Sequence, residues 1–230
     1  MKKLWKVLKI VVGAYAIQTI MSILAVIAYV VIKQPDINNI EIDVVYLYLM
    51  VGTILSTIPS IIYILRKYPR KESKINVKKL LLMIPFGFGV SWVFNMLTIN
   101  IQEENILLKL PFLLLVIFTV ILGPIFEELV FRYVALRNGE EVYSKKKALI
   151  VSAVIFGLLH SGIIGIIYAF LIGLLLGRIY QKENNIVYSI VLHMVANLAS
   201  LFVIEFSVVL LIVGISLLVV AGYGYRKLTY

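Results

Sequence analysis

The chain has 230 residues, of which 62% are hydrophobic and only 15% are charged, and its mean hydropathy is +1.02. Soluble domains average about 45–50% apolar and about 25% charged residues, so this composition indicates an integral membrane protein. The sequence contains no cysteine, which excludes disulfides, thiolate metal sites and a cysteine nucleophile.

The apolar segments predict an all-α fold, a polytopic transmembrane helix bundle in a single domain covering 1–230. About eight spans follow in chain order, at 10–32, 44–65, 80–100, 111–131, 148–160, 163–179, 186–204 and 207–225. The first apolar stretch, Ile10 to Ile32, has the length of a span rather than of a signal-peptide core, so we interpret it as an uncleaved span.

Residues 148–180 allow two interpretations, a single long helix or a helical hairpin that turns near Ser161 and Gly162. A single helix would place Arg178 and Lys182 on the outer side. The later loops would then no longer alternate between a basic inner side and a non-basic outer side. We therefore favour the hairpin, although its first arm is short for a full span. Short spans occur where helices line a cavity rather than lipid.

The net charge is +10, and the basic residues responsible for it cluster in and beside the predicted loops. With both termini inside, 20 of the 22 basic residues fall on inner segments, and only Lys33 and Lys109 fall outside. Lys and Arg collect on the cytoplasmic side of membrane proteins, which predicts an N-in/C-in topology. The charge then reflects topology and attraction to anionic lipid, and no nucleic-acid partner is needed to explain it.

The stretch from Pro111 to Phe126 contains no charge, and two adjacent glutamates then follow, Glu127 and Glu128. Ionised groups within membrane spans are costly and mark functional sites by default. On a helix Glu128 and Arg132 are four residues apart and can pair, while Glu127 lies about 100° round the axis. The alternative is that all three merely sit among lipid headgroups at a helix end.

The chain has two histidines, and both fall in predicted spans, His160 at the end of one and His193 within another. Asn197 is one helical turn from His193 and shares its face. Each alone could be a polar contact between helices. Together with the glutamates, however, they have the composition of a site that activates water, with or without a metal.

These residues form three ordered motifs, Glu127-Glu128-x-x-x-Arg132, Phe156-x-x-x-His160 and His193-x-x-x-Asn197. The set resembles the signature of the CPBP family (CAAX-protease and bacteriocin-processing proteins, also called Abi), which includes the type II CAAX prenyl endopeptidases. The resemblance covers a core of about 111–204. It implies hydrolysis of a peptide bond inside the membrane, in a cavity that opens toward the cytoplasm.

The resemblance also implies roles for the motif residues. Glu127 would be the general base, with His160 helping to hold the attacking water, and His193 and Asn197 would donate hydrogen bonds to the oxyanion. Glu128 and Arg132 would be a supporting pair. In a metal version, Glu127, His160 and His193 would bind zinc and Glu128 would be the base. Because no second carboxylate is evident to orient either histidine, we favour the metal-free mechanism.

Two other function classes remain open, a non-proteolytic regulator or immunity protein that binds a peptide, and an ion-coupled transporter with a proton relay. A scaffold has no need to bury a glutamate pair, and no inverted repeat supports a transporter. The expected partners are a peptide or protein substrate and membrane lipid. The composition resembles bacterial members, so we expect a multi-pass plasma-membrane protein acting in peptide maturation or bacteriocin self-immunity.

Overall fold

The computed structural model describes residues 2–35, 42–101, 111–203 and 205–229, with the backbone alone at 2–4, 6, 42 and 43. All regular structure in these ranges is helical, which confirms the all-α prediction. The eight helices are α1 (Lys2–Lys33), α2 (Ile42–Lys67), α3 (Val77–Thr98), α4 (Phe112–Glu140), α5 (Lys145–Leu158), α6 (Ile163–Glu183), α7 (Ile186–Ser200) and α8 (Val208–Lys227).

Six of these helices are long and apolar enough to cross a membrane, namely α1, α2, α3, α4, α6 and α8. Helices α5 and α7 have only 14 and 15 residues. Both short helices belong to the motif-bearing segment, as expected for helices that line a cavity rather than lipid. The roughly predicted span count therefore holds, with two spans shorter than a full crossing.

Residues 145–183 form the hairpin rather than one long helix. The chain leaves the helix after Leu158 and re-enters it at Ile163, with Gly162 at a positive φ of 69° that suits glycine. The arms then pack closely, since a Cβ on Gly157 would lie 3.0 Å from the carbonyl oxygen of Ile166. Small residues permit such contacts between helices in a membrane.

Helices α1 and α2 form a second antiparallel hairpin, in which the rings of Tyr29 and Tyr48 stack at one end. Helix α3 runs parallel to α7, because the Tyr188 hydroxyl accepts from the Asn76 amide near one end and Trp92 donates to the Ala199 carbonyl near the other. Helix α8 packs against α3. Helix α4, which carries the glutamate pair, contacts α1, α2, α5, α6 and α7.

The loop 68–76, the ends of α4 and α6 and the start of α7 meet at one end of the bundle, here called the basic end. Asn185 donates to the Ser73 carbonyl, Gln181 donates to Glu140, and Lys79 pairs with Glu183 at 3.0 Å. The predicted inner segments thus lie together, as a common inner side requires. Lys109, which was expected outside, lies beyond the described residues.

Glu72 holds the first turn of α7 in place at the basic end. Both of its carboxylate oxygens accept from the Ile186 amide, at 3.2 Å each. A carboxylate is favourable at a helix N-terminus, where backbone N–H groups lack partners. Partial burial nevertheless raises the pKa of Glu72, although the bond from Ile186 lowers it. The loop 68–76 therefore positions the helix that carries His193.

Candidate active site

Helix α4 is not a uniform α-helix. Two π-helical segments, Val116–Leu122 and Leu129–Leu136, flank the α-helical turn Gly123–Glu128 that carries both glutamates. In the first segment the Gly123 amide donates to the Phe118 carbonyl, five residues back. This wider hydrogen-bond pattern leaves some backbone carbonyl oxygens without a donor from the same helix. Such π-helical turns are frequent at functional sites.

The first π segment frees one carbonyl for a contact with α7. In a π-helix the Thr119 carbonyl would accept from residue 124, but Pro124 has no N–H. The side-chain amide of Asn197 fills this position and donates to the Thr119 oxygen at 2.8 Å. Asn197 is thereby fixed in the wall of the cavity described below, one turn beyond His193.

Glu128 and Arg132 form the predicted pair, at 2.8 Å between Arg132 Nη1 and Glu128 Oε1. Both are buried, with 0% and 1% of their surfaces exposed. Arg132 also donates to the Gly173 carbonyl at 3.3 Å, and its guanidinium lies 4.3 Å from the centre of the Phe156 ring. Removing either partner of such a pair would leave an unpaired buried charge.

His193 reaches the same oxygen of Glu128, with its Nδ1 at 2.9 Å from Oε1. A carboxylate only accepts, so this bond places a hydrogen on Nδ1. The other nitrogen, Nε2, faces Glu127 Oε2 at 3.7 Å. Nε2 can therefore accept a proton while the ring is neutral, and it can donate a hydrogen bond once the ring is an imidazolium.

Glu127 differs from Glu128 in its access to solvent. Its side chain is 23% exposed, and it lines a cavity of about 320 Å³ together with His160, His193 and Asn197. The remaining walls are largely apolar, formed by Leu115, Phe118, Thr119, Gly123, Pro124, Phe156, Tyr168, Ala169, Ile172, Ser200 and Leu201. All four predicted catalytic residues thus border one cavity.

His160 lies in the turn between α5 and α6, where its Nδ1 is 2.9 Å from the Phe156 carbonyl oxygen. Its ring packs edge-on against Phe156, with 4.7 Å between ring centroids, and His193 packs against the same ring at 5.9 Å. The aromatic ring of Phe156 therefore contacts both histidines. The sequence identified Phe156 only as the first residue of a motif and did not predict its contacts with the histidines.

The expectation that no carboxylate orients either histidine is wrong. Glu128 orients His193, because the π-helical turn of α4 presents its carboxylate to α7. No three His, Asp or Glu side chains among the described residues converge to hold an ion. Glu127, His160 and His193 do not fit a zinc site in this arrangement.

The cavity lies on one side of the glutamate pair. The wall residues on α4 precede Glu127 and those on α7 follow His193, which places them on the side away from the basic end. Toward the basic end the space is filled by Val134, Leu136, Leu176, Tyr180 and Tyr188, each at most 1% exposed. The cavity and the basic end therefore lie on opposite sides of Glu127 and His193.

Residues 109–199 match the family model described as type II CAAX prenyl endopeptidase Rce1-like. The match spans all three motifs, so the predicted resemblance to CPBP-type proteases is confirmed. Neither the curated proteins nor the solved structures include one that matches the chain.

Proposed function

We propose that the chain is an intramembrane endopeptidase that hydrolyses a peptide bond with a water molecule activated by Glu127. The proposal is supported by the Rce1-like segment at 109–199 and by the cavity that its motif residues line. The observation that carries this proposal is that two adjacent glutamates have different environments. Glu127 is open to the cavity, whereas Glu128 is buried and bonded to Arg132 and His193. One glutamate is placed for chemistry and the other for support.

In the proposed reaction, Glu127 takes a proton from a water molecule that His160 helps to hold. The resulting hydroxide adds to the carbonyl carbon of the substrate, and the carbonyl oxygen becomes an oxyanion. When the C–N bond breaks, the proton passes from Glu127 to the leaving amine. The products are a carboxylic acid and an amine, which exchange a proton to become a carboxylate and an ammonium group, so water is the only co-reactant.

His193 and Asn197 are proposed to stabilise the oxyanion. Asn197 keeps one amide hydrogen on the Thr119 carbonyl, so its second hydrogen is the one available to a substrate. His193 donates from Nε2 only as an imidazolium, because Nδ1 carries the hydrogen shared with Glu128. Loss of one such donor typically costs about 10²–10³ in kcat in soluble proteases.

We propose a peptide or protein substrate, handled in a bacterial plasma membrane during peptide maturation or bacteriocin self-immunity. The apolar cavity walls support an apolar segment next to the scissile bond, because a charged side chain would lose hydration there without a partner. Glu127 is the only Asp, Glu, Lys or Arg among the wall residues.

The test uses purified protein in lipid nanodiscs and two quenched-fluorescent probes, an apolar peptide and a farnesylated peptide with a CAAX-type end. Wild type is expected to cleave at least one probe, and Glu127→Gln, His160→Ala and His193→Ala are expected to abolish cleavage. Asn197→Ala should retain about 10⁻²–10⁻³ of the rate, because the second donor remains.

The matched control is Glu205→Gln, the same substitution at an exposed residue outside the cavity. It should cleave as wild type does. Normal cleavage by Glu127→Gln, or by His160→Ala, would contradict the proposed mechanism.

A further inference from the structure

The half of the bundle between the site and the basic end is packed without a passage. The second π segment of α4 contributes eight residues, Leu129–Leu136, all of them buried. Leu176, Ile179 and Tyr180 of α6 and Tyr188 of α7 fill the space beside it and are at most 4% exposed. Buried hydroxyls are satisfied internally, as where Ser189 donates to the Leu176 carbonyl. The described residues between Glu127 and the basic end are thus closely packed.

The cavity lies in the other half. Its wall on α6 includes Tyr168 and Ala169, and at 1.5 Å per residue Tyr168 is about 22 Å from Glu183 at the basic end. On α7 the wall extends to Ser200, about 21 Å from Ile186 by the same measure. Leu115, three residues after the start of α4, completes this side.

The walls also indicate what the cavity accepts. They combine aliphatic and aromatic surface with uncharged polar groups from Thr119, Asn197 and Ser200. A volume of about 320 Å³ lies at the lower end of the range for small-molecule sites, which is about 300–1,000 Å³. It suits one or two large apolar side chains of an extended peptide rather than a folded domain.

We propose that the substrate reaches Glu127 from the membrane face opposite the basic end, which the charge distribution makes the extracytoplasmic face, and that it is the apolar segment of an exported peptide. The substrate's identity rests on the proposed function, whereas the side of access does not. Cleavage would thus follow export, and a peptide still in the cytoplasm would be separated from Glu127 by the packed half.

Single cysteines test the side of access without background labelling, because the chain has no cysteine of its own. Ser200→Cys reports on the cavity. Lys74→Cys and Lys33→Cys are a matched pair of exposed positions, the first at the basic end and the second at the opposite end. Intact cells and inverted membrane vesicles are treated with a membrane-impermeant maleimide, and labelling is measured by mass shift.

We expect Ser200→Cys and Lys33→Cys to label in intact cells and Lys74→Cys to label only in inverted vesicles. Labelling of Ser200→Cys only in inverted vesicles, or in neither preparation, would overturn the proposal. So would labelling of Lys74→Cys in intact cells, because the basic end would then be outside.

A second measurement connects access with cleavage. After treatment of intact cells with the maleimide, Ser200→Cys protein should lose at least tenfold in cleavage of the apolar probe, and Lys33→Cys protein should lose none. Full cleavage by labelled Ser200→Cys would overturn the proposal that substrate passes this wall. If no variant cleaves any probe, the endopeptidase function fails, while the labelling pattern still decides the side of access.

Discussion

Two side chains share the buried Oε1 atom of Glu128, Arg132 at 2.8 Å and His193 at 2.9 Å. The other oxygen, Oε2, is buried and has no hydrogen-bond partner among the described residues. Both donors depend on one acceptor atom, so the position of the His193 ring depends on the charge pair beneath it. Carboxylates that orient a functional histidine in this way commonly contribute about 10–100-fold to activity or affinity at metal sites.

Glu128→Gln is expected to lower kcat at least tenfold with little change in KM. The amide keeps an acceptor oxygen for His193 but removes the negative charge that balances Arg132 and stabilises an imidazolium, so the loss belongs to the transition state. Steady-state kinetics on the cleaved probe checks this.

Glu128→Ala is the contrasting variant for this position. It leaves Arg132 buried without its carboxylate, which costs about 3–5 kcal/mol where one partner of a buried pair is removed. Its membrane accumulation, measured by immunoblot, should therefore fall further than that of Glu128→Gln, whose amide oxygen can still accept a hydrogen bond from Arg132. Wild-type kcat in Glu128→Gln would remove Glu128 from the mechanism.

Metal content distinguishes the two chemistries that the residues allow. We expect purified protein to contain far less than one zinc per chain, because no three His, Asp or Glu side chains among the described residues converge on one point. Elemental mass spectrometry of wild type and His193→Ala, prepared side by side, makes the measurement. About one zinc in wild type and none in the variant would contradict the metal-free mechanism and make Glu128 the base.

At the scale of elements, the α5–α6 hairpin depends on the backbone approach at Gly157. We expect Gly157→Ala to lower stability by about 1–3 kcal/mol, because its Cβ would meet the Ile166 carbonyl at 3.0 Å and the Phe170 amide at 3.3 Å. Thermal unfolding in detergent, followed by circular dichroism, tests the loss.

Gly165→Ala is the matched control in the same hairpin. A Cβ there would meet only the Cβ of His160, at 4.0 Å, and alanine favours a helix over glycine by about 1 kcal/mol. Its melting temperature should equal or exceed that of wild type. Equal melting temperatures for the two variants would mean that the arms are farther apart than described.

The element boundaries were largely predictable, but the local geometry of α4 was not. Apolar run lengths placed the helices, and the alternation of charge favoured the hairpin over one long helix. The pairing of Glu128 with Arg132 followed from their spacing, which is local. The bond from Asn197 to Thr119 and the orientation of His193 by Glu128 join α4 to α7, and these contacts depend on tertiary packing. Pro124 was the one sequence signal for the freed carbonyl.

At the scale of the whole molecule, the gathered basic segments predict topology. A reporter fused after residue 75 or after residue 229 should be cytoplasmic, and one fused after residue 162 should be outside. Paired alkaline phosphatase and green fluorescent protein fusions distinguish the two sides. A fusion at 75 that reports the outer side would contradict the N-in/C-in prediction.

The packed half of the bundle also determines where the membrane voltage falls. Moving a unit charge through 100 mV changes its energy by about 2.3 kcal/mol, and the potential drops across dry protein rather than across a water-filled space. With the cavity open as proposed, Glu127 shares the electrical potential of the outer solution. The Glu128–Arg132 pair lies within the drop but carries no net charge. Cleavage should therefore proceed at the same rate in energised and in depolarised membranes.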